Sequence, residues 1–220
     1  MAKRKPEEQR EPWDQRTSAR RGGRNVDTRS TYRRFLILCE GVQTEPNYFK
    51  GFRPFVRDTE IVVIGFGKDP ATLVQKARGC REELENRATA PFDAVWCVFD
   101  KDHFGDAFVR ALREAGEAGL EVAYSNPCVE LWFVLHFPPV QHPVSAPELT
   151  AWLSEYLKRP YSKDDQNLFG TFLSSLDGAI SRSEALFESH RSKPGGLNPA
   201  SQNPITRVHE LAKRLSANMR

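Results

Sequence analysis

The stretch FLILCEG, residues 35–41, decides the fold class of this chain. Its five leading apolar residues have the length of a strand, and a strand without polar alternation is typical of a parallel sheet covered on both faces. Similar apolar runs follow at 61–64, 94–99 and 120–124, with helical periodicity in the segments between them. This βαβαβαβ order predicts an α/β fold with a mostly parallel sheet flanked by helices.

The chain beyond Asn126 has helical periodicity. The helices predicted there cover 128–137, 147–159, 168–189 and 205–217. We therefore expect an α/β core over 33–126, with an α-helical C-terminal extension packed on it over 127–217.

Composition excludes several classes of protein. Among 220 residues, 39% are apolar, which is enough for a hydrophobic core. No apolar run approaches the roughly 20 residues of a membrane-spanning helix, so we expect no membrane association. The charged N-terminus lacks the apolar segment of a secretion signal, which predicts a cytoplasmic location. The four cysteines have no metal-binding spacing and are expected to be free thiols.

The N-terminal segment is strongly basic. Residues 1–34 carry eleven Lys and Arg against five acids, a charge of +6, and Trp13 is the one large apolar anchor of the first thirty residues. Such a segment buries too little surface to offset its ordering entropy, so 1–32 is predicted to be a disordered basic arm. A solubilising tail and an electrostatic arm for nucleic acid both agree with this composition.

Three acidic residues directly follow strands of the predicted sheet: Glu40 after the first, and Asp100 and Asp102 after the third. Ligands of open α/β sheets bind outside the carboxyl ends of strands, and Asp100 and Asp102 point to one side while the backbone stays extended. Carboxylates so close together need a cation, and their hard oxygens suit Mg²⁺ or Mn²⁺. A single such acid is more often a solvated turn residue or a cap, but the combination is more specific.

Other polar residues have two interpretations each. Glu130, among the large apolar residues of NPCVELWF, is either a metal ligand or catalytic base, or a helix N-terminal acid favoured by the helix dipole. Lys68 follows the second strand and could face a phosphate, although the surrounding glycines lack P-loop spacing. Helix capping alone explains Glu45, which follows Thr44 at a predicted helix start. His136 is expected to be a core or partly exposed histidine.

Four segments carry a resemblance to a known family: LCEGVQTEPNYF (38–49), VWCVFDKDHF (95–104), SNPCVELWFVLHF (125–137) and NPITRVHELAKRL (203–215). Glu-Gly after one strand and Asp-x-Asp after another resemble the Toprim domain of topoisomerases, bacterial primases and OLD-family nucleases. Together the segments resemble the RloB-like family, small Toprim-type proteins of bacterial and archaeal defence loci, often encoded beside an AAA/ABC-type ATPase. The resemblance covers about residues 33–217.

The resemblance implies roles for individual residues. Glu40 corresponds to the Toprim glutamate, and Asp100 and Asp102 correspond to the Asp-x-Asp pair. In Toprim nucleases these residues hold one or two divalent cations, although the glutamate is also assigned a general acid–base role. Many Toprim proteins have further acids after the pair, whereas His103 follows here. A second metal would therefore need another ligand, for which Glu130 is the candidate.

These observations predict a Mg²⁺- or Mn²⁺-dependent nuclease of DNA or RNA in anti-phage defence, working with an AAA/ABC-type ATPase. The predicted catalytic residues are Glu40, Asp100, Asp102 and Glu130, of which the first three are also metal ligands. The predicted nucleic-acid contacts are Lys68 and Lys101. The alternative is a non-catalytic nucleic-acid-binding subunit, a sensor or adaptor for the ATPase. A primase or other nucleotidyl transferase would use the same site and ranks third.

Overall fold

A computed structural model of the protein describes residues 32–88, 90–137 and 139–219. The chain from Tyr32 onward forms one compact unit. The basic arm predicted over 1–32 lies outside the described residues up to Thr31. In the described segments, no helix has the length and apolar character needed to cross a membrane.

A five-stranded sheet forms the centre of this unit. Its strands are β1 (Arg33–Cys39), β2 (Thr59–Gly65), β3 (Ala94–Asp100), β4 (Glu121–Asn126) and β5 (Ile205–Thr206). The spatial order is β2-β1-β3-β4-β5, in which β1 to β4 are parallel and β5 is antiparallel to β4. The predicted α/β fold with a mostly parallel sheet is therefore confirmed.

Helices cover both faces of the sheet. They are α1 (Thr44–Lys50), α2 (Pro70–Asn86), α3 (Gly105–Glu117), α4 (Glu130–Val134), α5 (Ala146–Leu157), α6 (Leu168–Phe172), α7 (Leu176–Arg191) and α8 (Val208–Ser216). A 3-10 turn, Leu173–Ser175, joins α6 to α7. Asp69 caps the start of α2, because its carboxylate accepts the Thr72 N–H at 3.1 Å.

Alternate residues of β1 belong to two hydrophobic cores on opposite faces of the sheet. Phe35 and Ile37 pack in a core that includes residues of α1 and of α4 to α8. Leu36 and Leu38 pack in a second core with α2 and α3. All four side chains are fully buried. Burial on both faces explains why this strand has no polar alternation in its sequence.

Two of the predicted C-terminal helices differ from the structure. The helix predicted over 205–217 begins only at Val208, because Ile205 and Thr206 form β5 beside β4. The helix predicted over 168–189 is divided by the 3-10 turn. Two residues are too few to show the alternation of a strand. The helical pattern of the residues that follow was therefore predicted to include β5 as well.

Candidate functional site

The candidate site lies at the carboxyl ends of the adjacent central strands β1 and β3. Because β2 lies on one side of β1 and β3 on the other, the strand order reverses at this point. Such a topological switch point opens a crevice at the sheet edge. A cavity of about 430 Å³ lies there. The charged residues that line it are Glu40, Glu45, Lys68, Asp69, Asp100, Asp102 and Lys163.

Backbone contacts fix Glu40 at the end of β1. Its N–H donates to the carbonyl of Val98 at 2.8 Å, and its Oε2 accepts the N–H of Asp100 at 3.0 Å. Burial raises the pKa of Glu40 to about 7 against the lowering effect of that N–H, and the nearby Glu45 carboxylate adds to the rise. Glu40 therefore joins the ends of the two strands that form the site.

Asp100 ends β3, whereas Asp102 lies beyond it in a left-handed turn. The φ of Asp102 is 36°, so the backbone does not stay extended as far as Asp102, and the alternation of a strand does not set the direction of its side chain. The turn is held by the N–H of Lys101, which donates to Ser125 at 2.7 Å, and by the N–H of Asp102, which donates to Pro127 at 3.0 Å. Aspartate tolerates this conformation better than most residues. Both carboxylates nevertheless line the same cavity.

Burial and mutual repulsion raise the pKa values of the two aspartates. For Asp100 burial has the largest effect, and the carboxylates of Glu45 and Glu130 add to it. Burial also raises the pKa of Asp102, against the lowering effect of the Lys163 ammonium. The raised pKa values mean that nearby positive charge does not fully stabilise the ionised carboxylates of the cluster.

Glu45 belongs to this cluster, and helix capping does not account for it. Gln43 precedes α1, and no side chain caps that helix. The Glu45 side chain is buried, and its Oε1 accepts the N–H of Gly41 at 3.2 Å. A Cβ at Gly41 would overlap the Glu45 carboxylate. The glycine after Glu40 therefore leaves room for a second carboxylate at the end of β1.

Asp69 also lines the cavity, but its carboxylate caps the start of α2. It accepts the N–H and the Oγ1–H of Thr72, at 3.1 and 2.6 Å. These two bonds lower the pKa of Asp69. Asp69 therefore needs no cation, in contrast to the acids at the ends of β1 and β3.

Glu130 opens α4 and is almost completely buried, with 1% of its surface exposed. Its Oε1 accepts the hydroxyl of Tyr161 at 3.2 Å and lies 3.3 Å from the Nζ of Lys163. Its Oε2 is buried and has no hydrogen-bond partner among the described residues. The charge of Glu130 also raises the pKa of Asp100 and of Asp102. A position at the start of a helix does not by itself explain such burial beside other acids.

Lys163 and Tyr161 are site residues that the sequence analysis missed. They belong to the segment 158–167, which connects α5 to α6. The backbone of this segment accepts hydrogen bonds from the side chains of Thr44 and Asn47 in α1, at 2.9 and 3.3 Å. No motif marks the segment, because its contacts with the site join residues far apart in the chain.

The two lysines predicted to contact nucleic acid differ in position. Lys68 is exposed and lines the cavity, whereas Lys101 is half-buried and does not line it. Their contact with nucleic acid stays a prediction. His136 is a buried core residue whose Nδ1 lies 3.1 Å from the Oγ of Ser175, and burial lowers its pKa to about 3. It has no place in the cluster.

The cluster has the donor chemistry of a magnesium or manganese site, because its ligands are carboxylate oxygens. The unpartnered Oε2 of Glu130 and the raised pKa values of Glu40 and Asp100 indicate a shortage of positive charge. However, no three His, Cys, Asp or Glu side chains of the described segments stand in an arrangement that holds a metal ion. The residues fit a divalent cation in chemistry, and their side chains would have to turn to coordinate it.

The protein is therefore of the α/β class, with an open, mostly parallel sheet and carboxylates gathered at its switch point. The chain belongs to the RloB-like family, since the family model described as RloB-like protein matches residues 35–215. This range contains every acid of the cluster and Lys163. No curated protein and no solved structure matches the chain. The family expected from the four sequence segments is therefore confirmed.

Proposed function

We propose that the protein is a Mg²⁺- or Mn²⁺-dependent nuclease that hydrolyses phosphodiester bonds of DNA or RNA. The observation that supports this most is the convergence of Glu40, Asp100 and Asp102 on one cavity, all with raised pKa values. Acids in this state favour a cation with a high charge. The Toprim-type site that the family resemblance implies uses the same three positions.

In this proposal each residue has a defined task. When bound, a divalent cation supplies charge that polarises the phosphodiester and activates a water molecule. Asp100 and Asp102 hold the cation, and Glu45 is a further carboxylate within the cavity. The Oε2 of Glu40 accepts the N–H of Asp100, which leaves Oε1 to bind the cation or to accept a proton. The pKa of Glu40, about 7, suits proton transfer near neutral pH.

The cellular role is proposed from the family resemblance. We propose that the protein acts in anti-phage defence with an AAA/ABC-type ATPase. The sequence around Lys68 does not have P-loop spacing, so ATP hydrolysis would be the task of the partner. The basic segment 1–34, with its charge of +6, would add non-specific attraction to nucleic acid.

A substrate panel tests the proposed activity. Plasmid DNA, single-stranded DNA, total RNA and tRNA are incubated with wild type and with Glu40→Gln, in Mg²⁺, in Mn²⁺ and in EDTA. We expect wild type to cut at least one substrate in the presence of metal, and Glu40→Gln to lose at least about 100-fold of that rate. The panel is repeated with the proposed AAA/ABC-type ATPase partner added. Metal-independent cutting, or equal cutting by the variant, would contradict the proposed site.

A non-catalytic subunit is the second candidate function. It is favoured by the absence of a preformed three-ligand arrangement among the described side chains. In that case the acids have structural roles, and the protein is a nucleic-acid-binding sensor or adaptor for the ATPase. Unchanged phage protection by a Glu40→Gln, Asp102→Asn double variant would support this candidate over the nuclease.

A further inference from the structure

Lys163 brings a positive charge to the acid cluster from the surface. Its Nζ lies 3.3 Å from the Oε1 of Glu130, and its side chain is 69% exposed whereas that of Glu130 is 2% exposed. A flexible surface side chain thus reaches a buried carboxylate. Burial is the largest single effect on Lys163 and disfavours its ammonium, but Glu130, Cys128 and Asp100 together outweigh it and raise the pKa of the lysine.

The charge of Lys163 acts on more than one acid. It lowers the pKa of Asp102 and of Glu45, against the larger effect of burial on each. The Lys163 ammonium therefore contacts Glu130 directly and stabilises the charges of Asp102 and Glu45 at longer range. The ammonium thus supplies part of the positive charge that these carboxylates lack.

The backbone around Lys163 is anchored, so its ammonium is held near the cluster. Thr44 Oγ1 donates to the carbonyl of Lys163 at 2.9 Å. Lys68 provides a contrast, because it lines the same cavity but forms none of the ion pairs found among the described residues. Proximity to the cavity alone therefore does not produce such a contact.

We propose that the Lys163 ammonium is the resident counter-ion of the acid cluster, and that a divalent cation must displace it from Glu130 in order to bind. This inference rests on the proposed function, because the displacing cation is the one that the nuclease would use. A divalent cation among the same carboxylates would repel the ammonium and compete with it for the Oε1 of Glu130. Lys163 would thus set the metal concentration at which the site fills.

Titration calorimetry with Mn²⁺ on the full chain tests the exchange. If the ammonium competes with the metal, Lys163→Met should bind Mn²⁺ about tenfold more tightly than wild type, within the usual range of coupling between two binding events. Lys163→Arg keeps the charge and should bind Mn²⁺ as wild type does. Lys68→Met removes the same charge from the same cavity without breaking a contact and is the matched control, expected to change the affinity by less than about threefold.

The outcomes separate the exchange from the proposed function. Circular dichroism first confirms that each variant is folded, and Lys163→Gln, which also removes the charge, replaces Lys163→Met if that variant is not. Equal or weaker Mn²⁺ binding by Lys163→Met than by wild type, or an equal gain in Lys68→Met, would overturn the exchange and leave a metal-dependent nuclease intact. Absence of Mn²⁺ binding in wild type and in Lys163→Met alike would overturn both.

Discussion

Asp100→Asn is expected to abolish metal-dependent cleavage and, at the same time, to raise the thermal stability of the metal-free protein. The variant loses a carboxylate that lines the cavity, and loss of one electrostatic group at a reaction centre typically costs about 10²–10³-fold in rate. It also removes a charge that burial and the neighbouring acids disfavour in the folded state. A residue with only a structural role would not combine these two effects.

The stability gain should depend on pH in a defined direction. Because the pKa of Asp100 is raised above its ordinary value of 3.8, the folded protein holds this proton more tightly than the unfolded chain does. The stability from Asp100 is therefore present at low pH and is lost as pH rises through the folded-state pKa. The melting temperature of Asp100→Asn in EDTA should exceed that of wild type by a few degrees at pH 8, and the difference should shrink towards pH 4.

Melting curves and cleavage rates on the same preparations check this prediction. Asp106→Asn is the matched control, because Asp106 is an exposed acid in the first turn of α3 and does not line the cavity. It should leave both quantities unchanged. A less stable Asp100→Asn protein, or one that cleaves at the wild-type rate, would show that Asp100 has a supporting structural role instead.

Glu45→Gln is expected to reduce metal-dependent cleavage by about 100-fold. The Glu45 carboxylate is buried beside the cavity, held by the N–H of Gly41, and a neutral amide oxygen attracts a divalent cation less strongly than a carboxylate does. If Glu45 only favoured the start of α1, the change would cost about 0.3–1 kcal/mol of stability and would leave cleavage unaltered. A role of Glu45 in metal binding and a role only in helix stability therefore predict cleavage rates of Glu45→Gln that differ by about two orders of magnitude.

The capping box of α5 provides the control for Glu45. Glu148 accepts the N–H of Ser145 at 2.8 Å, and the Ser145 hydroxyl accepts the N–H of Glu148 at 3.5 Å. Glu148→Gln should therefore preserve cleavage while it tests the effect of the same substitution at a real cap. Cleavage is measured for both variants under conditions where wild type is active. Equal rates for wild type and Glu45→Gln would show that metal-dependent cleavage does not need the Glu45 carboxylate.

The sequence predicts the sheet well because its strands are buried on both faces. The uninterrupted apolar runs of β1 and β3 both predict buried strands. The ends of these strands, and the acids at those ends, can therefore be placed from the sequence. β5 could not be found in the same way. It has two residues, and what makes it a strand is pairing with Ser125 and Asn126, about eighty positions away.

The site was predictable only where a residue follows a strand. Glu40 and Asp100 are placed by the strands that precede them, and a sequence pattern is sufficient for that. Glu45 has an ordinary local explanation at a helix start, and its burial, its place in the cavity lining and its contact with Gly41 become visible only in the structure. Lys163 depends on the path of a long connection, which no local pattern encodes.

The most direct test of the account is the position of a divalent cation in crystals of the protein grown or soaked with Mn²⁺. Anomalous diffraction at the manganese edge shows where the ion binds. We expect a peak at the carboxyl ends of β1 and β3, with oxygens of Asp100 and Asp102 at about 2.2 Å and Glu40 beside the ion. A peak elsewhere, or well-ordered side chains around this cavity without a peak, would contradict it.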